Sequence, residues 1–150
     1  MKYSIGSDNK THLTDTIVEY CRSQEIGVEL HGALISGDNS TWPEVARSVA
    51  NDVSRGNSDE GILLCRTGTG VTIAANKIPG IRAALCSDAE TAIGSRRWNA
   101  ANVLCLSLRS TSPQVGVEIL NAWISNTEID EDEIPNINKL NHMDKQEVHP

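Results

Sequence analysis

The sequence predicts an α/β protein: a three-layer α/β/α sandwich around a parallel sheet of five strands. Three observations carry this. Strand-like apolar runs alternate with helix-period segments five times along the 150 residues. Gly61-Ile62-Leu63-Leu64-Cys65 is continuously apolar, as a strand covered on both faces must be. No repeat or linker interrupts the series, so residues 1–125 read as a single α/β domain, with 126–150 as an acidic C-terminal arm.

Each element follows from its own pattern. Residues 3–6 form a short strand, and 15–24 an amphipathic helix with Ile17, Tyr20 and Cys21 on one face. Residues 27–32 are a second strand. A polar loop then leads into a helix over 42–56, where Val45, Val49 and Val53 recur every fourth residue. Pro43 suits its first turn and Gly56 its end. The central strand, 61–65, is followed by a helix over 71–77, a turn at Ile78-Pro79-Gly80 and a strand over 81–86. Asp88 caps a helix running to Trp98. Residues 101–108 are the fifth strand and 112–125 the fifth helix. Beyond Ser125 the acids and Pro135 leave two readings open, a short arm or a frayed end.

Composition narrows the function. With no Phe among the 150 residues, the core must be aliphatic. The net charge of −7 argues against nucleic acid or an anionic membrane as partner. Residues 125–150 carry seven acids against two lysines, so most of that charge sits in the tail and the body is nearly neutral. No apolar run approaches the ~20 residues that span a bilayer, and the N-terminus lacks a signal-peptide core, so the expected compartment is the cytoplasm. Cys21, Cys65, Cys86 and Cys105 fit neither a metal motif nor a disulfide framework, and His12, His31, His142 and His149 lack ligand spacing. No metal site is expected, and at least three of the cysteines read as small core residues.

In parallel sheets ligands bind beyond the carboxyl ends of the strands. That rule points to Gly6-Ser7-Asp8-Asn9, Cys65 to Gly70, Cys86-Ser87-Asp88 and Ser107-Leu108-Arg109, and makes Asp8, Cys65 and Arg109 site candidates. For Asp8 a capping role, and for Arg109 a surface ion pair, are equally open. The central stretch Cys65-Arg66-Thr67-Gly68-Thr69-Gly70 is the most informative. Glycines at 68 and 70 allow a tight turn whose amides, with the start of the next helix, suit an anion or an enolate oxygen. A thiol beside such amides is drawn towards thiolate. Thiol, oxyanion donors and the Thr67 hydroxyl are the minimum set for removing a proton next to a carbonyl. The stretch is neither the dinucleotide fingerprint nor a P-loop.

Beyond these residues the run Cys65-x-Thr67-Gly68-Thr69-Gly70-Val71, Ile73-Ala74-Ala75-Asn76-Lys77-Ile78-Pro79-Gly80-Ile81-Arg82, and then Ser95-Arg96-Arg97-x-Asn99-Ala100-Ala101-Asn102-Val103-Leu104-Cys105-Leu106, closely resembles the B-type ribose-5-phosphate isomerase and galactose-6-phosphate isomerase family. Ile5-Gly6-Ser7-Asp8 fits that family's opening motif, and the resemblance covers residues 2 to about 125. It implies a Rossmann-like fold, and homodimers or dimers of dimers whose active sites are shared between subunits. It also implies cofactor-independent exchange of aldose and ketose phosphates through a cis-enediolate. By resemblance Cys65 is the base between C1 and C2, Thr67 and the amides around Gly68 and Gly70 are the anion hole, and Asp8 contacts the sugar hydroxyls and ring oxygen. Asn99 and Arg109 match groups given by the partner subunit, Arg109 to the phosphate. Some relatives place a glutamate where Val71 stands, which leaves Cys65 as the only candidate base here.

Four departures bear on the substrate. Asn9 stands where relatives have histidine, and Trp98 replaces the histidine assigned to ring opening; tryptophan cannot shuttle a proton at neutral pH. Arg66 replaces a glycine and is either a solvent-facing residue or a relocated anion anchor. The two C-terminal arginines that grip phosphate in relatives fall near Asp132 and Asn136, in a segment where acids would repel a phosphate. Lys10 and His12 are candidates to restore the lost charge. Trp98, like Trp42, is either a packing and interface residue or a stacking wall for a sugar.

The leading expectation is therefore an aldose–ketose isomerase whose substrate has moved away from ribose 5-phosphate. That substrate is unphosphorylated, differently anionic, or short enough to stay open-chain; sugar phosphate in general is the family-based alternative. The alternative from another class is a catalytically silent sugar- or metabolite-binding homodimer, and a nucleotide-binding module is weaker still. Asn99 and Arg109 are expected on the side of the sheet far from Asp8, which pairing of subunits would resolve.

Overall fold

The computed structural model describes residues 1–145. Its elements run β1 (Lys2–Ser7), α1 (His12–Ser23), β2 (Gly27–Gly32), α2 (Trp42–Ser54), β3 (Glu60–Cys65), α3 (Thr69–Ala75), β4 (Ala83–Leu85), α4 (Ala89–Asn99), β5 (Val103–Ser107) and α5 (Pro113–Ser125). The five strands are all parallel, in the order β2-β1-β3-β5-β4. This is the α/β sandwich the alternating pattern requires, with β3 at its centre.

The alternation of side chains along β3 assigns the two faces. Ile62 and Leu64 point with Tyr3, Ile5, Leu104 and Leu106 towards α1 and α5, where Ile17, Ile119, Leu120 and Trp123 fill the larger core. Leu63 and Cys65 point with Val103 and Cys105 towards α2 and α3, against Val45, Val49 and Val71. The period-four valines of α2 reach the sheet because β1 and β3 present glycines to them. A Cβ on Gly6 would lie 2.5 Å from Val45, and one on Gly61 would lie 2.7 Å from Val49.

A buried charge cluster locks the start of β3. Arg96 on α4 bonds Glu60 at 2.5 Å, and the indole N–H of Trp123 on α5 donates to the other carboxylate oxygen at 2.6 Å. The guanidinium lies 4.5 Å above the Trp123 ring and also donates to the carbonyls of Ala101 and Asn126. Burial, and then the charge of Glu60, push the Tyr3 hydroxyl up, so it stays protonated beside that carboxylate.

Helix α1 starts at His12 rather than residue 15 and α3 at Thr69 rather than residue 71, and β4 and the tail also differ from the sequence reading. β4 spans three residues rather than 81–86. It is an edge strand, and its outer side is closed by the Asn76 amide, which bonds both the N–H and the carbonyl of Ala83 at 2.8 and 3.0 Å. The tail is a 3₁₀ turn (Glu131–Glu133) followed by α6 (Ile134–Met143), which buries Ile137. It folds back through Asp130, whose N–H donates to the Arg97 carbonyl, and Asp144, which accepts from the Gly80 N–H at 2.8 Å. Glu147 and His149 lie outside the described residues. No described helix is long and apolar enough to cross a membrane.

Removing one partner of a buried ion pair leaves the other charge unpaired, at a cost of about 3–5 kcal/mol. Arg96→Met is therefore expected to lower unfolding free energy by about that much in urea titrations. The Glu60→Gln/Arg96→Met pair should cost less than the sum of its single changes.

Candidate active site

Cys65 ends β3 at the carboxyl edge of the sheet. Its side chain is 5% exposed and packs with Leu63, Val45 and Val71. The chain then turns through Arg66 and Thr67, both exposed, to Gly68 at φ 77°. A Cβ at Gly68 would lie 2.5 Å from Leu85 and 3.0 Å from the Leu106 backbone, so glycine is required by both conformation and space. At Gly70 a Cβ would lie 3.1 Å from the Trp42 ring, which places that indole over the start of α3. The Thr67 and Thr69 hydroxyls bond each other at 2.8 Å. The bond from Thr72 N–H to the Gly68 carbonyl, 3.3 Å long, is the first in the helix, so the amides of Thr69, Gly70 and Val71 precede it and have no intrahelical acceptor.

Beside this loop is a hollow of about 310 Å³, lined by Asp8, Asn9, Thr11, Arg66, Leu108 and Arg109. Arg109 thus shares a hollow with Asp8 on one chain, which corrects the expectation that it lies far from it. The strand order leaves only β3 between β1 and β5. Backbone pairing also runs past the strand ends: Leu108 N–H donates to the Cys65 carbonyl at 2.9 Å and Arg109 N–H to the Arg66 carbonyl at 3.0 Å. On the opposite wall the Ser7 hydroxyl bonds the Asn9 carbonyl and accepts from its N–H, fixing the turn that carries Asp8. Thr11 was not singled out from sequence. Its signal is the Thr-x-x-Thr spacing, since Thr11 and Thr14 form the capping box of α1.

Asn99 and Trp98 stand elsewhere. Together they border a shallow hollow with Leu85 and Glu90, and Asn99 also borders one of about 440 Å³ with Arg82 and Asp144. Neither hollow includes Asp8, Cys65, Arg66 or Arg109. Trp98 folds over Gly94, where a Cβ would lie 2.7 Å from the ring, and its indole N–H donates to Asp130 at 3.0 Å. Arg97 grips the other oxygen of Asp130 through two N–H groups at 2.9 and 2.7 Å. In place of a free, phosphate-repelling carboxylate, Asp130 is thus bound to Arg97 and Trp98. Lys10 does not refill the site: its ammonium pairs with Asp15 at 2.5 Å and borders a different hollow with Glu19 and Arg22.

The other three cysteines are buried as Cys65 is, and burial pushes the Cys21 and Cys105 thiols up to about 12 and the Cys86 thiol to about 11. Among the described residues no three His, Cys, Asp or Glu side chains converge as metal ligands do.

The family model described as Ribose/Galactose Isomerase matches residues 4–140. The chain belongs to the ribose/galactose isomerase family. Its fold and sequence make it an isomerase of the ribose-5-phosphate isomerase B type. It is 34% identical, over 99% of both chains, to the D-erythrulose-4-phosphate isomerase of Pectobacterium atrosepticum. The structure of ribose-5-phosphate isomerase B from Clostridium thermocellum superposes with a TM-score of 0.89 at 32% identity, covering 97% of this chain and 98% of that one. The Mycoplasma genitalium ribose-5-phosphate isomerase B, solved with bound ribulose-5-phosphate, gives 0.88 at 31% identity over 97% of each.

Burial keeps the Cys21, Cys86 and Cys105 thiols protonated, and so slow to react, at pH 8. Cys65 adjoins the exposed residues Arg66 and Thr67. Labelling the native protein with iodoacetamide at that pH should modify one thiol, and Cys65→Ser should abolish the reaction. Mass spectrometry of the labelled peptides reads the outcome; the remaining three should react only after unfolding.

Proposed function

We propose that this isomerase interconverts a four-carbon aldose phosphate and its ketose, with Cys65 as the base. The observation that carries the reading is the absence of a proton-shuttling group at the two positions where the family resemblance expects imidazoles. Asn9 has no titratable group, and the Trp98 N–H is engaged by Asp130. A pentose 5-phosphate has a free 4-hydroxyl that closes a furanose ring, and that ring must open before the proton beside the carbonyl can leave. A tetrose 4-phosphate carries its ester on O4. It has no hydroxyl placed to form a five- or six-membered ring, so it remains open-chain and needs no ring-opening acid. The Pectobacterium relative, named for erythrulose 4-phosphate, supports the same size of substrate.

The chemistry follows from the loop. The Cys65 thiolate removes the C2 proton of the aldose, and the electron pair moves onto O1 as the cis-enediolate forms. The Thr67 hydroxyl and the amides around Gly68 and Gly70 hold the developing negative charge. The hydroxyl proton passes from O2 to O1, and Cys65 returns its proton to C1 to leave the ketose. Asp8 orients the sugar hydroxyls. Asn99 lies at the β4 edge beside the exposed Trp98 and Leu85, so in this reading it serves a second copy of the chain in a homodimer with shared sites.

Three measurements test this. Steady-state kinetics should give kcat/KM of ~10⁴ M⁻¹s⁻¹ or more for a tetrose 4-phosphate and a value lower by about 100-fold or more for ribose 5-phosphate, the usual size of a missing acid–base group. The reverse preference would sink the four-carbon reading. Cys65→Ala should lower kcat by about 10²–10⁴ and abolish deuterium exchange at C2; near-normal turnover would show that another group is the base. For the assembly, mixing inactive Cys65→Ala and Asn99→Ala proteins should regenerate activity if sites are shared, and sedimentation should give a dimer.

A further inference from the structure

The hollow that Asp8 shares with Arg109, which Cys65 does not line, carries two guanidinium groups, and among the described residues neither has a counter-ion or a side-chain hydrogen bond. Arg66 and Arg109 both line it, against a single carboxylate, Asp8, which pairs with neither. By contrast Arg96 and Arg97 are committed to Glu60 and Asp130, and Arg82 to backbone carbonyls. Two unpaired cations walling a concave space at the strand ends suit an anion, since charge-assisted bonds from two guanidiniums can offset its desolvation.

The position of Arg66 is set by the backbone. Its carbonyl accepts from the Arg109 N–H at 3.0 Å and from the Ser107 hydroxyl at 3.1 Å, and the Cys65 carbonyl accepts from the Leu108 N–H at 2.9 Å. The side chain therefore leaves from a fixed point one residue beyond the proposed base. We propose that Arg66 extends the anion anchor of this site, adding a second guanidinium beside Arg109 where the family resemblance expects glycine. The inference rests on the phosphorylated-substrate reading above and adds a residue to its anion site.

The test uses Arg66→Gln and Arg66→Lys, both at an exposed position, with thermal melts to confirm folding. Calorimetric titration of the intact protein with inorganic phosphate should show weakening of about 10- to 100-fold in Arg66→Gln, the range of a lost charge-assisted hydrogen bond. Arg66→Lys should recover part of it. The ratio of kcat/KM for tetrose 4-phosphate to that for the free tetrose should fall by a similar factor, mainly through KM. Phosphate affinity unchanged in Arg66→Gln would overturn the assignment, whatever the substrate. If the wild-type protein instead prefers ribose 5-phosphate while Arg66→Gln still loses phosphate, Arg66 stands as the anchor and only the four-carbon reading falls.

Discussion

The Glu60 carboxylate is the point on which the architecture turns. It opens β3, the central strand, and Cys65 closes the same strand, so whatever fixes one end fixes the other. Arg96 brings α4 to it, Trp123 brings α5, and the remaining guanidinium bonds hold the chain entering β5 and the chain leaving α5. Taking such charges out of water is costly, and the cost is offset only when every donor and acceptor is matched. The cluster therefore tolerates one arrangement of β3, α4 and α5. That arrangement places the last turn of α4, with Trp98 and Asn99, on the opposite flank of the sheet edge from Asp8.

The candidate site grows from the carboxyl ends of three neighbouring strands. β1 supplies Asp8 and Asn9 through a turn fixed by Ser7, β3 supplies Cys65 and Arg66, and β5 supplies Arg109. Because pairing of β3 with β5 continues past their ends, Arg66 and Arg109 leave adjacent backbone positions. The glycine at 68 has a steric role as well as a conformational one: the loop crosses the end of β5 at a distance no side chain permits. Rigidity in the candidate site thus comes from the sheet, and Arg66 adds charge where the family resemblance expects glycine.

Where the family resemblance expects a histidine, Trp98 makes structural contacts instead. Trp98 caps Gly94 and ties α4 to the tail through Asp130, which Arg97 also neutralises. A tail that reads from sequence as a field of repelling acids becomes, at Asp130, a brace for α4.

The sequence by itself determined the order and type of the elements through α5 and the central place of the 61–65 strand, and it singled out the Cys65–Gly70 loop as the candidate chemical centre. These rest on hydrophobic period and on glycine, which act over a few residues and so can be read locally. It misjudged the length of β4, because an edge strand stops where a side chain such as Asn76 replaces its neighbour. It left the tail open, since a helix that buries little beyond Ile137 has a weak periodic signal. Only the tertiary structure decided that Arg109 faces Asp8, that Lys10 turns to Asp15, and that Asp130 is bound to Arg97 and Trp98. Each depends on which strands and helices become neighbours, a long-range pairing set by core packing and the Glu60 cluster, which no stretch of the chain encodes alone.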